Sequence, residues 1–161
     1  MGRPIVVAHD PVQGTDQHKV AGTGPNPAAP PPTLPFTGTG TFTYTGSMTG
    51  GLSDLLTIGS APVALVTSQS TLDPAETAPG GGHTGPRGTA FVASGPAPQP
   101  APQTLSITDA PLGTGTPASG AGSALLTVGG TAVLLDADPI DTCGGHGTVT
   151  ARGQSFVTCS G

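Results

Sequence analysis

Asp138-Pro139-Ile140-Asp141-Thr142-Cys143-Gly144-Gly145-His146-Gly147 is the stretch from which the rest of the chain can be read. A turn-forming Asp-Pro is followed by a Cys and a His three residues apart, then by glycine. Cys-x-x-His is a chelating spacing, because a tight turn can aim both side chains at one point. Two other Asp-Pro pairs occur, Asp10-Pro11 and Asp73-Pro74, and each has a histidine eight to ten residues later, His18 and His83. Three copies of one loop, each carrying a histidine, predict a pseudo-threefold object with a metal on its axis.

Working outward, the flanks of the loops also recur. Leu55-Leu-Thr-Ile-Gly59 returns as Leu125-Leu-Thr-Val-Gly129. A β-like run climbs to each loop: Pro4–Ala8, Pro62–Val66 and Ala132–Leu135. After the histidine, Arg87-Gly-Thr-Ala-Phe-Val92 matches Arg152-Gly-Gln-Ser-Phe-Val157 at an offset of 65. The reading is a single domain over 1–161, with units at about 10–72 and 73–137 and a third split between 1–9 and 138–161. A split unit closes a ring by pairing first strand with last, so residues 4–8 are expected against part of 148–158. The Gly-rich stretches Gly46–Gly51 and Gly113–Gly122 are read as turns at the end opposite the histidines. The Pro-rich connectors 25–35 and 96–103 are read as lying outside the sheets.

Composition sets the class. Twenty-seven Gly and 19 Pro punctuate short runs of Val, Leu, Thr and Phe, and no amphipathic helical period appears, which reads as all-β. Large apolar residues are scarce, so the core must be thin and in need of a staple such as a metal. Four basic residues against nine acidic ones leave no basic patch for nucleic acid. No segment is apolar enough to span a membrane as a helix. Met1–Ala8 lacks the apolar run of a signal peptide, and Val6 breaks the myristoylation pattern, so synthesis without a signal peptide in the cytoplasm is expected.

With the three loops converging, His18, His83, His146 and Cys143 make a four-ligand set suited to tetrahedral zinc, one per chain and structural. A Cys143–Cys159 disulfide is the competing use of the thiols. Cys159 falls beyond a falling strand, away from the apex, and is read as a free thiol; it becomes the ligand if residues 147–158 fold back. His9 has no counterpart in the other copies and reads as a surface residue. Asp10, Asp73 and Asp138 read as turn caps. No nucleophile with a base and no acid–base carboxylate pair is evident, so the chain does not read as an enzyme.

Gly122-Ser-Ala-Leu-Leu-Thr-Val-Gly-Gly-Thr-Ala-Val-Leu-Leu-Asp-Ala-Asp-Pro-Ile-Asp-Thr-Cys-Gly-Gly-His-Gly147 resembles the PAAR-repeat family, and Gly51–Ala64 resembles it again. The naming tetrapeptide is replaced here by Ala61-Pro-Val-Ala64 and Thr131-Ala-Val-Leu134, without Arg. The resemblance implies a small β cone with zinc near its point, bound by three His and one Cys, which map onto His18, His83, His146 and Cys143. It further implies a cap on a trimeric VgrG-like spike, one copy per trimer, in a contractile injection machine: an extracellular particle, a phage tail or a type VI secretion system. Such a tip pierces the target envelope, meets the membrane only transiently and can carry effector cargo; no fused toxin is expected after Gly161. The competing reading is an extracellular structural or adhesin-like β protein with incidental metal binding. A zinc hydrolase is a third class, disfavoured for want of an open ligand position.

Overall fold

The computed structural model describes residues 2–25, 33–73, 91–93, 104–109 and 113–159. They are all β, with no helix among them. In chain order the strands are β1 (Arg3–Pro4), β2 (Pro11–Pro25), β3 (Thr33–Gly50), β4 (Thr57–Ile58), β5 (Ala61–Pro62), β6 (Gln69–Leu72) and β7 (Phe91–Ala93). They continue as β8 (Thr104–Ile107), β9 (Thr114–Pro117), β10 (Thr127–Val128), β11 (Thr131–Ala132), β12 (Pro139–Asp141), β13 (Gly145–Val149) and β14 (Thr158–Cys159).

The centre is three short extended segments, 5–7, 63–65 and 133–135, joined in a cycle. Val6 N donates to Leu134 O at 3.0 Å, Leu134 N to Ala64 O at 2.9 Å, and Ala64 N to Val6 O at 2.9 Å. All three middle residues are fully buried, so their backbone groups must pair with something. A cycle of three pairs them all and leaves no edge.

Each segment then turns sharply, and a side-chain oxygen at the fourth position caps the turn. Asp10 Oδ2 accepts from Val7 N at 2.7 Å, Ser68 Oγ from Leu65 N at 2.8 Å, and Asp138 Oδ2 from Leu135 N at 2.9 Å. Asp10 and Asp138 are caps, as expected. Asp73 is not the third; it follows β6, and its N–H donates to Thr45 O. The turn needs only an oxygen at that position, and Ser68 supplies it without the Asp-Pro signature. The Asp-Pro register for the second unit was therefore displaced by five residues. His9 sits inside the first turn, exposed and at φ 66°, consistent with a surface residue.

Behind the cycle lie three two-stranded sheets, β4–β5, β10–β11 and β14–β1. The first two are entered by Ser53 and Ser123, whose N–H groups donate to Val63 O and Val133 O. Each Oγ accepts from the N–H groups two and three residues on. In the third sheet Gln154 does the same work with a longer arm: its Nε2 donates to Ile5 O, and its Oε1 accepts from Val157 N. The two chain ends thus meet as expected, with Pro4 opposite Thr158 and Ile5 N donating to Val157 O. The pairing is shorter than the predicted 4–8, because Val6 bonds to Leu134 and Ala8 to Pro62. The offset of 65 does not survive: Gln154–Val157 stands where Ser53–Leu56 and Ser123–Leu126 stand, whereas Phe91 pairs with Gly40 in β3.

Ahead of the cycle a six-stranded barrel closes in the order β3-β6-β9-β12-β13-β2-β3. β2 and β3 form its long hairpin, with 15 paired positions from Pro11↔Ser47 to Pro25↔Thr33. Higher up, β8 pairs with β2 and β7 with β3. Pro25 and Pro35 therefore belong to strands, against the expectation for 25–35. Residues 26–32 and 94–103 lie outside the described residues. Gly46–Gly50 is strand as well, not a turn; only Gly51, at φ 60°, leaves it. Thr114–Pro117 is strand β9, and that stretch bends only at Gly113 and over Ala118–Gly122, where Ala121 N donates to Ala118 O.

At the level of Tyr44 the barrel interior is filled by glycines packed around one phenol ring. Tyr44 is fully buried, opposite Gly14 and beside Gly46. A methyl at Gly46 would stand 2.4 Å from Thr71 O and 2.9 Å from Tyr44 Cε1. Gly46→Ala is expected to destabilise the protein by about 1–3 kcal/mol through overpacking. Gly50→Ala, where the methyl meets Gln69 Cβ at an ordinary 3.4 Å, should stay near the parent. Denaturant unfolding of the two variants reads the difference, and equal stabilities would overturn this account of the glycines.

Candidate metal centre

Strand parity builds the site. On β2, Val12, Asp16, His18 and Val20 are buried, while Gln13, Thr15, Gln17 and Lys19 are exposed. Asp16 and His18, two apart, therefore project from the same face into the barrel. Cys143 comes from the turn between β12 and β13, where Thr142 N donates to Gly145 O. Gly144 O accepts from Gln17 N and holds this turn against β2. A Cβ at Gly144 would lie 2.6 Å from His18 Cε1, so only glycine lets the turn approach the ring.

The three donor atoms converge. Cys143 Sγ is 3.1 Å from Asp16 Oδ2 and 3.7 Å from His18 Nε2, and Nε2 is 3.6 Å from Oδ2. Zinc bonded at about 2.0–2.3 Å to such atoms sets tetrahedral edges of roughly 3.3–3.6 Å. Asp16, His18 and Cys143 thus form a buried group that could hold a metal ion. The other Asp16 oxygen accepts from Thr142 Oγ1. On the far side of the ring, His18 Nδ1 lies 3.2 Å from Asp109 Oδ2, and Phe42 packs at 5.9 Å between ring centroids.

A cation is compatible with the proton inventory of the group. Cys143 has one S–H proton, with the Asp16 carboxylate and the His18 Nε2 both within reach of it. A metal bonded to all three satisfies sulfur, nitrogen and oxygen together. Cys143, His18 and Asp109 also fall in the order of nucleophile, base and orienting acid. A thiolate there would stand 3.1 Å from a buried carboxylate, an arrangement that suits a shared cation rather than a nucleophile.

The sequence-predicted set is thus partly assembled. His18 and Cys143 meet. His146 does not join them: it pairs across the β12–β13 hairpin with Asp141, its side chain is 85% exposed, and its Nδ1 lies 2.7 Å from Asp141 Oδ1. The reason is parity. Gly145, Gly147 and Val149 face inward on β13, so His146 must face out, and Cys-x-x-His across this hairpin does not chelate. His83 lies outside the described residues. Asp16 was missed, although Asp-x-His on a strand carried the signal, since the spacing of two puts both side chains on one face. Cys143 and Cys159 are not joined by a disulfide, which removes that alternative. Cys159 sits opposite Arg3 in the chain-end sheet, 3.2 Å from Ser123 Oγ and against the Ile5 cluster, so the fold-back alternative fails too.

No protein-family model matches the chain, and no curated protein or solved structure is significantly similar to it.

Two outcomes are expected at this site. Co2+ added to the parent should give thiolate charge-transfer absorption that Cys143→Ser abolishes and Asp16→Ala weakens at least tenfold in affinity. Cys159→Ser and His146→Ala should leave it unchanged, and retention in Cys143→Ser would remove the sulfur from the site. The second outcome concerns Tyr44, the one tyrosine in the chain. Burial pushes its phenol up from 10.0 to about 12, helped by nearby Cys143 and Asp16 and opposed by the hydrogen bond to Ser70. A phenol raised in the folded state contributes stability fully below pH 10 and loses it as pH climbs towards 12. Phenolate absorbance in the native protein should accordingly midpoint well above that of the denatured chain.

Proposed function

We propose that this chain is the metal-stapled tip of a contractile injection machine, seated on a trimeric spike, with a mechanical role in piercing the target envelope. The observation that carries this reading is a set of three exposed apolar side chains at equivalent places. Counting two residues from Ser53, Ser123 and Gln154 gives Leu55, Leu125 and Phe156, which are 79%, 73% and 72% exposed. A single exposed leucine needs no explanation. Three large apolar residues, one from each two-stranded unit and each at the same step of its turn, fit a partner with true threefold symmetry. One monomer carrying three pegs matches one trimer, so the stoichiometry is one copy per spike.

The rest of the molecule supports the same orientation. The pegs stand at the end closed by the Ile5, Val63 and Val133 cluster. Asp16, His18 and Cys143 lie on the barrel side, beyond the Tyr44 layer. The β2–β3 hairpin continues past them and spans roughly 50 Å if straight, at about 3.3 Å per residue. Under this reading the ion is zinc, one per chain, with a structural role: borderline-soft zinc suits a mixed sulfur, nitrogen and oxygen set.

The test combines elemental analysis with pull-down by a trimeric β-helical spike protein of a contractile injection machine. The parent should carry one zinc and bind one copy per trimer. Leu55→Ser/Leu125→Ser/Phe156→Ser should keep its zinc and melting temperature yet lose at least tenfold in spike affinity. Three copies per trimer, or attachment through the Asp16–Cys143 end, would overturn the proposal.

A further inference from the structure

We propose that Asp109 is a positioning residue for the metal centre, fixing the His18 tautomer that turns the Nε2 lone pair towards Asp16 and Cys143. The inference rests on the metal reading of that group. Asp109 Oδ2 accepts from Lys19 N at 2.8 Å and lies 3.2 Å from His18 Nδ1. An ionised carboxylate only accepts, so the ring nitrogen facing it must carry the proton. With one ring proton held there, the lone pair is on Nε2, the nitrogen 3.6 Å from Asp16 Oδ2 and 3.7 Å from Cys143 Sγ.

Two carboxylates compete for the single proton of this ring. Asp16, if it prevailed, would draw the proton to Nε2 and leave a tautomer that cannot ligate there. Asp109 has the shorter approach, 3.2 against 3.6 Å. Its oxygen is also held in place by the backbone. Thr108 N donates to Lys19 O while Asp109 accepts from Lys19 N, so the residue after His18 is gripped through both its peptide groups. This grip comes from a distant part of the chain, just past β8, which pairs with β2 at Val20–Thr23. A histidine that binds metal through one nitrogen and donates to a carboxylate through the other is the usual support of such sites, and losing the carboxylate typically costs 10–100-fold in metal affinity.

The test uses the full chain with Co2+ and Zn2+ as probes. In the metal-free parent, ring 15N shifts should report His18 as the Nδ1–H tautomer. Asp109→Ala should shift it towards Nε2–H and weaken Co2+ by 10–100-fold, while Asp109→Asn, which keeps an acceptor oxygen for Lys19 N, should fall between. Thr108→Ala removes only the 3.3 Å hydroxyl bond to Lys19 O and should behave like the parent, which separates positioning from general loosening of β8. If Asp109→Ala keeps the Nδ1–H tautomer, or binds Co2+ within twofold of the parent, the role is overturned. A parent that takes up neither ion overturns the metal reading instead, and the tautomer of that protein still decides what Asp109 does to His18.

Discussion

Everything in this molecule hangs on the hydrogen-bonded cycle of Val6, Ala64 and Leu134. These residues are separated by long stretches of chain and fully buried. A backbone group left unpaired at such a place costs about 1–3 kcal/mol. Three segments in a cycle are the smallest arrangement in which each both donates and accepts without a free edge. Once the cycle forms, the directions of all six exits are set. One way lead the capped turns at Asp10, Ser68 and Asp138, and from them the barrel strands rise. The other way lie the three small sheets. The chain ends fall at one of these sheets, so the first and last strands complete what neither could form alone.

The barrel that rises from the cycle is narrow, and its interior follows from that. Inward positions that would carry valine in a wider barrel are glycine at 14, 46, 115, 145 and 147, because a Cβ there would meet facing backbone or Ser70 Oγ at 2.1–2.7 Å. The interior therefore gains little from apolar burial beyond Tyr44 and the Val12, Met48, Ile140 and Val149 layer. Farther along, it holds Asp16, His18 and Cys143. A buried carboxylate is costly without compensation. A cation held there would turn that cost into cohesion between β2 and the β12–β13 turn, where the thin core contributes least.

The same backbone frame accepts different side chains wherever the chemistry permits. Asp, Ser and Asp cap the three turns; Ser, Ser and Gln open the three small sheets. The exposed Leu55, Leu125 and Phe156 keep their apolar character through these changes. Equivalence in this protein is carried by hydrogen-bond geometry, and sequence identity follows it only loosely.

The all-β class, the internal echo of Leu55–Gly59 in Leu125–Gly129 and the meeting of the chain ends were legible from residue order. The class and the echo depend on local propensity and pattern, which act over a few residues, and the meeting of the ends on one unit being split between them. His18 and Cys143, two residues of the candidate group, were named from the recurring Asp-Pro loops, although the partners that the fold gives them differ from those expected. The second Asp-Pro pair misled, because a capped turn demands an oxygen at one position and does not care whether Asp or Ser brings it. Cys143-x-x-His146 misled because chelating spacing in a sequence says nothing about which face of a strand a residue takes. That choice was made by tertiary structure: the pairing of β13 with β2 put Gly145 and Gly147 inside, sent His146 out, and brought Asp16 and the distant Asp109 to opposite sides of one imidazole.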